Sequence, residues 1–155
     1  ILKMFTTVNQ GVAGSSPAGG AGEEGDQGNA FRHVLWQSIL TNEFGSEEAM
    51  RIGNNHEDNL PSNMSQRKFD YMGDADQMAD LLNNRIGREI GRKKDGASNK
   101  DLAIATLNEY RENGLWQVTG NEETGFKVER KTMSEEQYRK ALEVIESKGD
   151  DGLSK

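Results

Sequence analysis

The residues best suited to chemistry in this sequence are its two histidines, His33 and His56, and the arginine that precedes the first of them. A neutral histidine can act as a general base or acid near pH 7, with a carboxylate on its second ring nitrogen to orient it. Arg32 supplies positive charge, which stabilises the negative charge that develops during hydrolysis. This combination indicates a polar catalytic site, provided that carboxylates lie nearby.

A stripe of carboxylates, amides and glycines runs along the longest predicted helix, beside its apolar face. Placed at about 100° per residue, the stripe consists of Asn83, Asp76, Gly87, Asp80 and Gly91, with Asn84 at its edge. Glycine inside a helix costs about 1 kcal/mol relative to alanine, so the two glycines predict that another backbone or a ligand comes close. Carboxylates buried there need partners, and Arg32, His33 and His56 are the candidates.

These residues allow two kinds of catalytic site. In the first, a histidine is the general base or acid, a carboxylate orients it and the arginine stabilises charge; the candidates are Arg32, His33, His56, Glu57, Asp80 and Asn84. In the second, His33, His56 and Asp80 bind a divalent metal ion, because two histidines and one carboxylate are a known ligand set for catalytic zinc or iron. No local motif such as H-E-x-x-H accompanies them, so the cofactor stays unknown, with a divalent ion as the candidate.

A structural role is the competing interpretation of the same residues. An inward histidine is more often a core residue with satisfied hydrogen bonds than a catalyst, and Arg32 with Asp80 can be a buried ion pair that fixes helix packing. Two inward histidines, an inward arginine and the carboxylate–amide stripe together favour a functional site.

Five helices and one hairpin are predicted to position these residues. The helices run from about Ala30 to Phe44, Ser46 to Glu57, Asp74 to Lys93, Lys100 to Glu112, and Ser134 to Ser147. Asn29 is the predicted N-cap of the first helix, and Ser134 to Gln137 form a capping box for the last. LWQV and GFKVE, separated by TGNEET, predict the hairpin. The fold class is therefore mainly α: a compact helical domain of about five helices with a small C-terminal β-hairpin.

The helical faces predict where the key side chains point. Arg32 and His33 fall among apolar neighbours of the first helix, and His56 falls at the centre of the apolar face of the second. The predicted core includes three large side chains, Trp36, Met50 and Met78.

Composition divides the chain of 155 residues into three parts. Residues 1–28 contain a Gly/Ala/Ser-rich run that favours a flexible linker. Residues 29–148 are predicted to form the helical domain, and residues 149–155 a frayed tail. A start at Ile1 suggests a piece of a longer protein. No stretch has the length and apolarity of a transmembrane segment.

The formal net charge of −7 argues against a nucleic-acid partner, because phosphate binding usually requires a basic stripe. The basic residues between Arg85 and Lys94 are interpreted as a solvated helix end. The absence of cysteine excludes thiol catalysis, disulfides and cysteine-bound zinc.

The order of several motifs resembles a bacterial domain family. NAFRHVLW, NHE and DLLNNRIGR are similar to its patterns N-x-x-R-H-x-x-W, A-H-E and D-x-x-N-N-x-x-G-R. The matching residues are Asn29, Arg32, His33, Trp36, His56, Glu57, Asp80, Asn83, Asn84, Gly87 and Arg88. Asn55 and Leu82 depart from the pattern, and Leu82 stands where the family often has a third histidine. The family occurs in secreted proteins of the Rhs and wall-associated polymorphic-toxin types, which implies a setting but no activity.

The sequence and the resemblance together predict a toxin-type effector domain of a secreted bacterial protein, with hydrolase activity favoured. The expected substrate is an envelope component or a phosphoester, and the expected location is outside the producing cell or inside a target bacterium. The expected partners are a cognate immunity protein and the parent protein upstream. Two alternatives stay open: a non-enzymatic interaction domain whose polar cluster is structural, and a metal-dependent nuclease toxin.

Overall fold

Helices dominate the structure, a computed structural model that describes residues 27–57 and 60–150. Within those ranges the helices are α1 (Gln27–Phe44), α2 (Ser46–Asn55), α3 (Met72–Lys93), α4 (Asn99–Glu112) and α5 (Glu135–Glu146). The strands are β1 (Lys68–Phe69), β2 (Leu115–Asn121) and β3 (Gly125–Lys131). The predicted mainly α class is confirmed. None of the described helices has the length and apolar character that crossing a membrane requires.

The helix starts follow local capping chemistry in two cases and depart from it in one. The hydroxyls of Ser98 and Ser134 accept backbone hydrogen bonds at the starts of α4 and α5, and the predicted capping box at Ser134 is present. The predicted N-cap role of Asn29 is wrong, because α1 already begins at Gln27. Gln27 and Gly28 therefore belong to the helix rather than to the predicted linker, whose residues 1–26 lie outside the described part of the chain.

The sheet is antiparallel in the order β1-β3-β2. Val118 pairs with Val128 across the predicted hairpin, whose strands are longer than expected. The two-residue strand β1, which lies between the second and third predicted helices where no element was predicted, adds to the outer edge of β3 through Phe69 and Phe126. One face of the sheet packs on α3.

Apolar burial forms two clusters on either side of α3. The larger joins α1, α4 and α5 around Leu35, Tyr110 and Ile145. The smaller joins α3 to the sheet, and it contains Met78, as predicted. Met50 was expected in the core but is 44% exposed, and Trp36 is half-buried.

The chain at and after the end of α5 accepts hydrogen bonds from Lys100, the second residue of α4. The Nζ of Lys100 donates to the carbonyls of Glu146 and Lys148, and its backbone N–H donates to the carbonyl of Asp150. Residues 149 and 150 of the predicted tail are described, and residues 151–155 lie outside the description, so fraying of the tail stays a prediction.

Helices α1 and α3 run parallel and approach each other closely. A Cβ added at Gly87 would lie 2.4 Å from the carbonyl oxygen of Val34, and one added at Gly91 would lie 2.5 Å from that of Ser38. The approaching backbone that the glycine stripe predicted is therefore that of α1.

After α1, Gly45 turns the chain at a φ of 91°, a conformation that glycine adopts readily, and α2 packs against both helices.

Candidate active site between two parallel helices

Three side-chain hydrogen bonds connect α1 and α3 like the rungs of a ladder. They are Asn29 Nδ2 to Asp80 Oδ1 at 3.1 Å, His33 Nδ1 with Asn84 Oδ1 at 3.1 Å, and Arg88 Nη1 to Gln37 Oε1 at 3.2 Å. The partners differ by 51 in residue number each time. Successive rungs are four residues apart on both helices, which is the spacing that keeps side chains on one helical face. We call this set the polar ladder.

The outer end of the polar ladder reaches solvent. The side chains of His33 and Asp80 retain 16% and 18% of their exposure, and His33 Nε2 lies 3.4 Å from Asp80 Oδ2. Arg32 is exposed and donates to Asn29 Oδ1 at 2.5 Å. The expectation that Arg32 sits among apolar neighbours is therefore wrong, whereas His33 is mostly buried.

The inner end of the polar ladder is covered by α2. Gln37 and Asn84 are fully buried, and Gln37 Nε2 donates to the carbonyl of Ala49 at 3.0 Å. Gly53 lies directly on both amides, since an added Cβ would come within 2.7 Å of the Gln37 Nε2 and 3.1 Å of the Asn84 Nδ2. The buried amides therefore hold α1, α2 and α3 in fixed relative positions.

Burial keeps the imidazole of His33 neutral. Desolvation is the largest influence and lowers the pKa of His33 to about 4. The hydrogen bond with Asn84 acts against this decrease, while the positive charges of Arg32 and His56 add to it. The ring is accordingly neutral near pH 7.

Both ring nitrogens of His33 nevertheless face oxygen atoms, Asn84 Oδ1 at Nδ1 and Asp80 Oδ2 at Nε2. A neutral imidazole has one N–H, whereas an imidazolium has two. The surroundings therefore provide a hydrogen-bond acceptor for a second proton as well as the first. Chemically, this arrangement suits a group that is neutral at rest and takes up a proton during a reaction.

The third rung contains a partly buried cation. Desolvation, with the nearby charge of Arg85, lowers the pKa of Arg88, although a guanidinium stays protonated in proteins at ordinary pH. Its hydrogen bond to Gln37 anchors the inner end of the polar ladder. We assign Arg88 a positioning role.

His56 occupies a different place from the one predicted. Helix α2 ends at Asn55, and His56 is exposed at its C-terminus, with its ring edge-to-face on Trp36 at 5.0 Å between centroids. Trp36 also contacts His33, at 6.4 Å. The predicted inward orientation of His56 is wrong, because the helical periodicity was extended beyond the end of the helix. Glu57 follows it and is half-buried.

The structure does not assemble the predicted metal ligands. The ring of Trp36 contacts both imidazoles, at 6.4 Å from that of His33 and 5.0 Å from that of His56. Across residues 27–57 and 60–150, no group of three or more acidic or histidine side chains is placed to hold a metal ion. His33, His56 and Asp80 are therefore not arranged as a common ligand set.

Three residues of this region were not among the predicted catalytic residues. Asn29 and Gln37 belong to the polar ladder, and their spacing of four residues on either side of His33 is the signal that points to them. Asn83 connects α3 to β2, since its amide donates to the carbonyl of Trp116 and accepts from its N–H, both at 2.9 Å. Nothing local in the sequence predicts that long-range pairing.

The fold and the site define a mainly α domain with a polar site between two parallel helices. The chain belongs to the family described as Domain of unknown function (DUF6973), which matches residues 3–115. This range includes the whole polar ladder and ends at the first residue of β2. No curated protein and no solved structure matches the chain.

Proposed function

We propose that this domain is a hydrolase in which His33 is the general base. The observation that carries the proposal is the environment of its imidazole, which is neutral at rest and has an oxygen acceptor at each ring nitrogen. A general base needs both properties, because it must begin without the proton and hold the proton once it arrives.

The proposed reaction transfers one proton in each of its two steps. His33 takes a proton from water while the water oxygen bonds to the electrophilic atom of the substrate. The bond to the leaving group then breaks, and the proton passes from His33 to that group. Asp80 stabilises the intervening imidazolium at Nε2, and Asn84 accepts the Nδ1–H. Arg32 stabilises negative charge on the substrate.

The biological setting belongs to the same proposal. The motif order that resembles secreted bacterial toxins supports a toxin-type effector domain carried by a larger protein. In that setting a cognate immunity protein protects the producing cell. The acidic net charge of −7 favours an envelope component or a small phosphoester over a nucleic acid as the substrate.

A structural role of the polar ladder is the second candidate function. The fully buried Asn84 and Gln37, and the contact of α2 with both amides, support it. In this interpretation the ladder fixes helix register, and an outer surface of the domain binds a partner. The two proposals differ in whether activity can be lost without a loss of stability.

Two adjacent asparagines provide the experiment that separates these proposals. Asn84 contacts His33, whereas Asn83 bonds to the backbone of Trp116, and both are 1% exposed. Each truncation to alanine removes buried amide hydrogen bonds, so we expect both to cost about 1–3 kcal/mol of stability. Each protein is expressed inducibly in bacteria, with and without a periplasmic signal, and growth is measured. We expect growth arrest to persist with Asn83→Ala and to disappear with Asn84→Ala and His33→Gln.

Circular dichroism and urea denaturation of each purified variant control for folding. Arrest by all folded variants, or by none of them including the wild type, would sink the hydrolase proposal in favour of the structural one. Arrest only with added divalent ions would instead support the metal-dependent nuclease.

A further inference from the structure

Two basic residues lie close to Trp36 on the surface beside the polar ladder. Arg32 lies one helical turn before Trp36 on α1, and His56 packs edge-to-face on its indole. Arg32 and His56 are exposed and Trp36 is half-buried. We call these three residues the Arg32–Trp36–His56 surface.

Among the described residues, no carboxylate forms an ion pair with the basic groups of this surface. The hydrogen bond of Arg32 goes to the neutral amide of Asn29, and the ring of His56 contacts Trp36. Neither side chain forms an ion pair within the part of the chain that the structure describes. Three other exposed arginines of this acidic chain do so, in the pairs Arg51–Glu48, Arg92–Glu89 and Arg139–Glu143. Donors that have no carboxylate partner in the described ranges, beside a half-exposed indole, indicate a binding site for an anion.

We propose that the Arg32–Trp36–His56 surface binds a phosphate ester, and that this ester is the substrate class of the hydrolase. This inference rests on the hydrolase proposal above. The phosphoryl oxygens accept hydrogen bonds from the guanidinium of Arg32 and the imidazole of His56. The organic part of the ester packs on the indole of Trp36.

The chemistry of the donors favours phosphate over carboxylate. A guanidinium binds either anion in a bidentate manner, but a second donor, the imidazole of His56, matches an anion with three terminal oxygens. The indole also contacts His33, so an ester held on this surface lies beside the proposed general base. Substrate binding and proton transfer thus use neighbouring residues of α1.

Trp36 itself reports on binding. Trp116 is the second tryptophan of the chain, so replacing it by phenylalanine leaves Trp36 as the source of indole fluorescence. We expect inorganic phosphate and phenyl phosphate to change this fluorescence saturably at constant ionic strength, with phenyl phosphate binding more tightly. Benzoate, which has the ring and a carboxylate, should bind at least about tenfold more weakly than phenyl phosphate.

Substitutions on the same background test the two donors. Arg32→Gln and His56→Gln should each weaken phenyl phosphate binding by roughly tenfold, because each removes a hydrogen bond to a charged group. Arg32→Lys should weaken it less, since the charge remains. Arg92→Gln is the matched control. It removes the same charge from α3, and the register of the polar ladder puts it about 14 Å further along the helices.

The outcomes separate this inference from the hydrolase proposal. Equal binding of benzoate and phenyl phosphate, or equal weakening by Arg92→Gln and Arg32→Gln, would overturn the phosphate site. Growth arrest that depends on His33 without any phosphate binding would overturn the site alone and leave the hydrolase. If phosphate binds but no activity depends on His33, the phosphate site stands and the hydrolase proposal is overturned.

Discussion

At the scale of single residues, His33 combines a structural contact with a chemical property. Its hydrogen bond to Asn84 joins α1 to α3, while its burial in the same interface lowers its pKa to about 4. The packing that holds the ring therefore also makes it neutral and available as a base. The hydrogen bond with Asn84 is the influence that opposes this decrease of the pKa, and the Asp80 carboxylate lies 3.4 Å from Nε2.

The lowered pKa of His33 predicts a pH-dependent stability. Its folded value of about 4 lies below the usual 6.5, so on acidification the unfolded chain binds the proton first. The free energy of unfolding should therefore fall as the pH decreases from about 6.5 to about 4, by about 3 kcal/mol from this residue. Urea denaturation across this range measures the loss.

His33→Gln separates this effect from the titration of carboxylates. The variant lacks the imidazole but retains a hydrogen-bonding side chain, so its unfolding free energy should depend less steeply on pH than that of the wild type. Parallel curves for the two proteins would show that Asp80 keeps the imidazolium stable in the folded state, contrary to the prediction.

At the scale of elements, two glycines set the distance between α1 and α3. Gly87→Ala would place a Cβ 2.4 Å from the carbonyl oxygen of Val34, which is rigid backbone. The helices must then separate, so we expect a loss of roughly 1–3 kcal/mol of stability. Thermal denaturation of the variant tests this expectation.

Gly73 provides a control on the same helix. It lies in the first turn of α3, with nothing within 4 Å of an added Cβ. Gly73→Ala should therefore be neutral or stabilise by up to about 1 kcal/mol, because alanine has the higher helix propensity. A destabilisation of similar size in both variants would mean that helix separation is not the cause.

The predictability of each element depended on whether its signal is local. The capping box at Ser134 and the close backbone at Gly87 follow from short-range spacing, and both are confirmed. The role of Asn29 and the exposure of His56 were wrong, because each depends on where a helix begins or ends. A shift of two residues at a boundary turns a predicted cap into a rung of the polar ladder.

The polar site was predicted in composition but not in geometry. Arg32, His33, Asp80 and Asn84 were all candidates, and the structure brings them together. Their parallel register cannot be read from helical periodicity, because it depends on the path of the chain between α2 and α3. The strand β1, which lies on that path, is two residues long and too short to leave a periodic pattern.

At the scale of the whole molecule, the family match and the folded unit have different limits. The match ends at residue 115, yet both apolar clusters require later residues. Phe126 and Val128 complete the cluster on the sheet side of α3. Met133 and Ile145 complete the larger cluster around α1 and α4. The hairpin and α5 are therefore part of the core on which the polar ladder rests.

This dependence predicts that a fragment of residues 1–115 does not fold cooperatively. Removing the hairpin exposes the apolar face of α3 and leaves the buried amide of Asn83 without the backbone of Trp116. Each buried apolar side chain contributes about 1.5–3 kcal/mol, and the loss of four exceeds the marginal stability of a small domain. The full chain should show one sharp thermal transition, and the fragment a broad one or none. Adding residues 116–155 as a separate peptide should partly restore the transition. A sharp transition of the fragment alone would contradict the prediction, because it would show that the matched region folds by itself and that the hairpin and α5 are additions to it.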